Sequence, residues 1–333
     1  MLALQYDSEK STPKYQQVIN SIIGEIEKGN FKKADRLPAI NELCEAYSLS
    51  KVTVERAYMH LKKRGYIAHT KGKGYYVEAR EERLKILLVF NKLSYYKKMI
   101  YYGLLEVLSN QAKVDLQVHH YNPRILNEII DEKAGQYDYY VIMPHFLEET
   151  AEEEYLDVIK RIPANKLLLL DKDITGIQTK YMAVFQDFEK DIYASLQLVH
   201  DLLQKYKEII FIFPGNSNHP AEIIDGAKKF CKEHRIKFTV VDNIGPLTKE
   251  AAYITIEEEE LGSLIKKVRL AKYKMGKDIG IISFNETVMK ELLDITVFTT
   301  DFVEMGRVTG RLLLSPEMKK IRNSFSVIRR KSL

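Results

Sequence analysis

Two cysteines in 333 residues, Cys44 and Cys231, are too few and too far apart for a disulfide scaffold. Neither belongs to a set of cysteines and histidines at metal-ligand spacing, so both are expected as buried or free thiols, and no metal or cofactor is expected. Long apolar runs are also missing. The longest, such as ILLVF at 86–90, cannot span a bilayer. The start, MLALQYDSEKSTPKYQQ, has no basic segment leading into an apolar one, so no signal peptide is expected and the protein is expected in the cytosol, off membranes. Catalytic signatures are absent too: there is no Walker lysine motif, no nucleophile elbow and no HExxH, and no catalytic residue is assigned. His119 and His120 fall on opposite faces of an expected strand, where both rings do not easily reach one metal. The run Glu257–Glu260 reads as solvated.

What is present is a chain rich in core-forming residues, 45% hydrophobic and 29% charged, and long enough for two or three folding units. Its net charge of +5 is localised. Residues 1–80 hold 14 Lys and Arg against 9 Asp and Glu, while the rest balance at 37 against 37. Between 51 and 80, eight basic residues face only Glu55 and Glu78. Such asymmetry implies a polyanion-binding module joined to a neutral body.

The basic region is patterned. Val54, Ala57, Tyr58 and Leu61 recur at helical spacing, Ser50 stands where an N-cap belongs, and Gly65 stands where the helix should stop. Lys51, Thr53, Arg56, Lys62 and Lys63 lie off the apolar stripe. Upstream, Val18, Ile22, Ile23 and Ile26 mark a first helix ending near Gly29; Pro38 fits the N1 position of a second, with Ile40, Leu43 and Tyr47 on one face. The short break at 48–50 makes helices two and three a helix-turn-helix. YIAHTKGKGYYV then reads as a hairpin with a basic, glycine-rich tip at 72–74.

The order RLPAINEL, SLSKVTVERAYMHLKKRGYI, KGKGYYV, over roughly residues 12–78, resembles the GntR-type winged-helix DNA-binding domain. The resemblance implies that Arg36 and Lys51 meet phosphates or bases, that Thr53 bonds a phosphate, and that Lys73 and Gly74 carry the wing into the minor groove. Asn41, Ser50, Arg56 and Lys71 complete the candidate DNA-binding set. Many relatives have arginine at the positions of Asn41 and Glu55; Asn41 can still bond a base edge, and Glu55 can accept from a cytosine amino group or orient Arg56. An ion pair within the domain is the competing role for Arg36 and Glu55. A solvated helix end is the expectation for Lys62, Lys63 and Arg64.

From residue 84 the texture becomes alternating strand and helix. Ten short apolar runs, starting with LKILLVF (84–90) and ending with ITVFTT (295–300), predict an α/β body of two parallel sheets with a cleft between lobes. Domains are therefore expected at 1–78 and 85–333, with a linker at 79–84. The segments KLLLLDKDI, AVFQDFEKD, IIFIFPGNSNHPAEIIDGAKKFC, IGIISFNE, FTTDFVEMGRVTGRLLL and SFSVIRRKS resemble the LacI-type effector domain, itself similar to type I periplasmic sugar-binding proteins. The combined architecture resembles that of the arabinose repressor.

That resemblance implies effector contacts from loops after strands: Asp171 or Asp173, Asn285, His145 and Phe188, with Tyr95 and Tyr96 as faces for a sugar ring, and carboxylates and amides suited to vicinal hydroxyls. Asn218 and Glu222 join the set from NSNHPAEIIDGAKKF. Relatives usually carry arginine just before that helix, where this chain has Glu222 and Ile223, and many carry aspartate in place of Asn285. Tyr96 and Phe188 have core packing as their alternative role. The expected function is a homodimeric, sequence-specific transcription regulator, a repressor, whose affinity for double-stranded operator DNA is changed by a small-molecule effector, a monosaccharide, through linkage. The competing reading is a sugar-modifying α/β enzyme fused to a DNA-binding head.

Overall fold

A computed structural model of the chain describes residues 12–78, 83–147, 149–215 and 219–333, and divides into two compact units, Met1–Arg83 and Leu84–Leu333. The first opens with α1 (Lys14–Glu27), which buries Val18, Ile19 and Ile22 and stops ahead of Gly29 at φ 76°. Helix α2 (Ile40–Tyr47) is capped by Ala39, so Pro38 lies one residue outside the helix rather than at N1. The cause is Glu42, whose carboxylate accepts the Ala39 N–H at 2.8 Å and so fixes Ala39 as the cap. The Pro38 carbonyl instead accepts the Tyr58 hydroxyl at 2.7 Å. Ser48, at φ 50°, turns the chain into α3 (Lys51–Lys63), where Ser50 caps by accepting the Thr53 N–H at 3.2 Å. Strands β1 (Ile67–Thr70) and β2 (Gly74–Val77) pair antiparallel with Thr70 opposite Gly74. Leu37, Leu43, Val54, Ala57, Tyr58 and Leu61 fill the core between helices and hairpin.

The second unit runs through β3 (Leu84–Phe90), α4 (Tyr95–Leu108), β4 (Ala112–Val118), α5 (Pro123–Lys133), β5 (Tyr139–Ile142), α6 (Glu152–Lys160), β6 (Leu167–Asp171) and β7 (Met182–Phe185). It continues with α7 (Phe188–Leu198), α8 (His200–Leu203), β8 (Glu208–Ile212), α9 (Glu222–His234), β9 (Lys237–Val241), β10 (Ala251–Thr255), α10 (Glu258–Leu270), β11 (Ile279–Phe284), α11 (Val288–Leu292) and β12 (Thr296–Thr300). It closes with α12 (Phe302–Leu314), β13 (Lys320–Arg322) and β14 (Phe325–Ile328). Two six-stranded sheets result, ordered β4-β3-β5-β6-β7-β13 and β9-β8-β10-β11-β12-β14, each the centre of one lobe. Only β14 is antiparallel, against β12. The two strands beyond the ten expected, β13 and β14, are short edges specified by hydrogen bonding to neighbours rather than by an apolar run.

The chain changes lobe three times: after β7, after β12 and between β13 and β14. These crossings are bonded to one another. The Asn323 N–H reaches the Phe185 carbonyl at 2.7 Å, and its side-chain amide reaches the Asp301 carbonyl at 3.1 Å. After the second crossing α12 packs on α4 so closely that a Cβ on Gly306 would stand 2.1 Å from the Ile100 carbonyl oxygen. The parallel strands point their carboxyl ends toward the other lobe's, which is where α/β folds place ligands.

Candidate nucleic-acid interface and effector cavity

In the first unit α3 presents Lys51, Val52, Glu55, Arg56 and Met59 outward. Glu55 pairs with Lys51 at 3.9 Å, the in-domain role open to it. Arg36 makes no ion pair among the described residues. Its backbone bridges Tyr76, and its guanidinium lies beside Gly74, where a Cβ would sit 3.6 Å from Nε. Gly74 needs φ 83° to close the wing turn, a conformation that L side chains rarely adopt. Lys71 and Lys73 stand exposed at the wing tip, Asn41 is exposed in the first turn of α2, and Lys62, Lys63 and Arg64 are exposed at the end of α3. The Ser50 and Thr53 hydroxyls lie 2.7 Å apart, engaged with each other at the α3 N-terminus. Arg56 is drawn onto α1: its guanidinium carbon sits 4.0 Å from the centre of the Tyr15 ring. Val52 is 72% exposed beside Lys51; its signal in the sequence is an apolar residue off the buried stripe. Together the helix end, the wing and their cations form a surface able to bind a phosphate backbone.

In the second unit the lobes enclose a cavity of about 250 Å³. Tyr96, His145, Asp171, Phe188 and Asn285 line it. Glu222 does not; it borders an adjoining compartment. Two further candidates fall elsewhere. Ser94 caps α4, which puts Tyr95 on the outer face, 61% exposed, and turns its neighbour Tyr96 inward onto Phe302. Asp171 takes φ 74° and faces inward, whereas Asp173 bonds the Tyr181 hydroxyl at 2.7 Å and Lys320 at 2.8 Å off the cavity. Asn218 lies outside the described residues.

Asp171, 4% exposed, is the hub of the floor. One carboxylate oxygen sits 2.8 Å from Lys97 Nζ and 3.1 Å from His145 Nε2, and the other accepts from the Gln186 amide at 2.5 Å. Burial would raise its pKa, but the charge of Lys97 and the His145 bond outweigh burial and hold it well below the usual carboxylate range. Burial also lowers the pKa of His145, against its bond to Asp171, which favours the neutral imidazole; because the Asp171 carboxylate only accepts, Nε2 is the donor. Gln186 in turn accepts from the Thr300 hydroxyl on the second crossing, joining the cavity floor to the lobe connections.

On the facing wall the acidic run keeps the solvent access expected of it, with Glu258 and Glu259 exposed, and also contributes to the site. Glu257 and Glu258 line the cavity: Glu257 is 2.8 Å from His219, and Glu258 is 2.8 Å from Lys290. Lys290 is 1% exposed and also donates to the carbonyls of Phe284 at 2.6 Å and Asn285 at 2.9 Å, fixing the loop on which Asn285 holds φ 61°. Asp191, another lining carboxylate, binds Arg322. Asn91 is 4% exposed, lines the cavity, and has a side-chain oxygen buried without a hydrogen-bond partner among the described residues. Asn91, Lys97, Gln186, Asp191 and Glu257 went unassigned in the sequence. For Lys97 a signal existed: it occupies the buried stripe of α4 with Ile100, Leu104 and Leu108, where a lysine needs a partner. Among the described residues no cluster of three or more metal-ligating side chains occurs, and no helix is long and apolar enough to cross a membrane.

The first unit is a winged helix-turn-helix, and the second is a two-lobed α/β body with the fold seen in LacI and periplasmic-binding structures. Residues 14–77 match the family described as bacterial regulatory proteins, gntR family. The HTH-type transcriptional repressor YtrA of Bacillus subtilis is 31% identical over 117 residues, covering 35% of this chain and 86% of that protein. The chain belongs to the GntR family of bacterial transcription regulators. The uncharacterized regulator YurK of the same organism is 35% identical over 79 residues, 24% of this chain and 33% of its own, so the chain spans about a third of that relative. Among solved structures, the trehalose repressor of Escherichia coli shares the fold with TM-score 0.59 at 15% identity, covering 74% of this chain and 100% of its own. A complex of the transcriptional regulator CelR with cellobiose has TM-score 0.59 at 13% identity, covering 86% and 92%.

Proposed function

We propose that the chain is a cytoplasmic, homodimeric repressor that binds operator DNA through Lys51, Thr53, Arg36 and the Lys71–Gly74 wing tip, and whose DNA affinity is set by a neutral sugar. One monosaccharide ring occupies the cavity between the lobes and leaves unchanged, since the protein is a sensor and not an enzyme. The observation that carries this reading is the lining of the cavity, where the polar side chains of Asn91, Gln186 and Asn285 stand among aromatic rings. Amide side chains suit a sugar's hydroxyls, while the rings of Tyr96, Phe188, Phe284 and Phe302 offer apolar faces to C–H groups. Neutrality follows from the charge pairing. Asp171, Asp191, Glu257 and Glu258 each already have a basic partner, and Lys92 at the wall leans toward the Tyr121 ring at 5.9 Å.

Regulation then follows from linkage: a sugar that binds one lobe arrangement better shifts the population, and the heads respond only by that difference in affinity. A thermal-shift screen of the full chain tests the ligand class. At one hundred times its Kd, a bound sugar adds about 2.7 kcal/mol to the second unit. A shift with phosphorylated sugars alone refutes the neutral-sugar reading; loss or gain of operator binding on adding the hit tests the linkage.

A further inference from the structure

A second compartment, of about 290 Å³, adjoins the inner cavity and shares His145, His219 and Pro220 with it as a common wall. Its character differs from that of the charged inner floor. One side is an aromatic platform, Phe146 stacked on Tyr155 with ring centres 4.4 Å apart and planes 11° from parallel. Above it Lys172, following β6 of one lobe, meets Glu222, opening α9 of the other, at 3.2 Å. Both charged side chains keep solvent access, at 32% and 47%, so their remaining donors and acceptors are open to a ligand. An aromatic face beside a fork of donors and acceptors is what one sugar ring calls for: C–H groups pack on the ring while adjacent hydroxyls bond the charged pair.

We infer that the effector is a disaccharide, with its inner ring in the cavity beside Asn91 and Asp171 and its second ring in the outer compartment against Tyr155, Lys172 and Glu222. This extension rests on the sugar reading above. His145 and His219 line both compartments and are both held by carboxylates, so the glycosidic linkage would pass side chains whose polar atoms are largely satisfied. The outer site binds one atom set from each lobe, so an occupant spanning both compartments favours the closed arrangement more than a single ring does.

Calorimetric titration of the full chain with common hexoses and pentoses, and with the disaccharides built from them, tests the inference. At least one disaccharide is expected to bind tenfold or more tighter than either component. Tyr155→Ala and, separately, the surface change Glu222→Gln are expected to remove most of that ratio while leaving the affinity for the inner monosaccharide within twofold. A monosaccharide that binds as tightly as its disaccharides, or a ratio that survives both variants, overturns the second site but leaves the sugar reading intact. Binding by no sugar of either size overturns the sugar reading and this extension together.

Discussion

Lys97→Met isolates the hub of the cavity. Lys97 is 8% exposed and Asp171 4%, with 2.8 Å between amine and carboxylate, so the substitution leaves a carboxylate buried without its main countercharge. Breaking a buried pair from one side costs about 3–5 kcal/mol. Here His145 and Gln186 still donate to Asp171, which places the expected loss near the lower end, about 3 kcal/mol. For a unit of this size that corresponds to a fall of roughly 6–12 °C in melting temperature. Calorimetry of the full chain carries its own control, because the transition of the DNA-binding unit should not move. Adding Asp171→Asn removes the stranded charge and keeps an acceptor, so the double variant should regain at least about half of the loss. The pH dependence fixes the sign. A carboxyl held low in the native state contributes stability above its unfolded pKa and loses it as pH falls through the folded value; in Lys97→Met that contribution is missing, so the gap from wild type narrows in acid. A loss below about 1 kcal/mol, or a double variant no more stable than the single one, refutes the pairing argument.

His119 donates through Nε2 to the Met143 carbonyl at 3.0 Å while its Nδ1 is buried without a partner among the described residues, and burial pulls its pKa down to about 4. The unfolded chain therefore takes the proton first: denaturant titrations should show full stability above about pH 6.5 and a loss of roughly 3 kcal/mol by pH 4, a slope that His119→Gln flattens. Gly306→Ala drives a methyl into the α4 backbone and should cost about 3 kcal/mol, read as a lowered melting temperature of the second unit; an unchanged melt removes the close-packing argument. Lys73→Ala at the wing should weaken binding to any duplex and reduce the log Kd against log salt slope by about 1, measured by fluorescence anisotropy. Val52→Ala should instead leave the salt slope unchanged and relax preference at one thymine position by about 1 kcal/mol in a selection experiment.

The parts legible in the sequence are those specified locally. The buried stripe of α3, its Ser50 cap and the Gly72–Gly74 turn each depend on a few adjacent residues, and LKILLVF at 84–90 and IGIISF at 279–284 coincide with β3 and β11 residue for residue. His145, Asp171 and Asn285 were also reachable, since loops at strand carboxyl ends are where α/β ligands sit. What escaped depends on partners far away in the chain. Glu258 reads as one solvated charge of four until Lys290 arrives from α11, and Gln186 carries no pattern at all until the folded lobes set it between Asp171 and Thr300. Edge strands β13 and β14 are hidden for the same reason: Lys320, Ile321 and Arg322 become a strand because β7 offers an unpaired edge. Tyr95 and Asp173 show the converse. Each has suitable chemistry close to a cavity residue in sequence, and each is turned away by one backbone fact: helix geometry after the Ser94 cap, and the left-handed φ of Asp171. Residue type and loop position thus identify the neighbourhood of a binding site. Which of two adjacent side chains enters it is decided by the backbone, and whether its charge is usable is decided by partners that only the tertiary fold supplies.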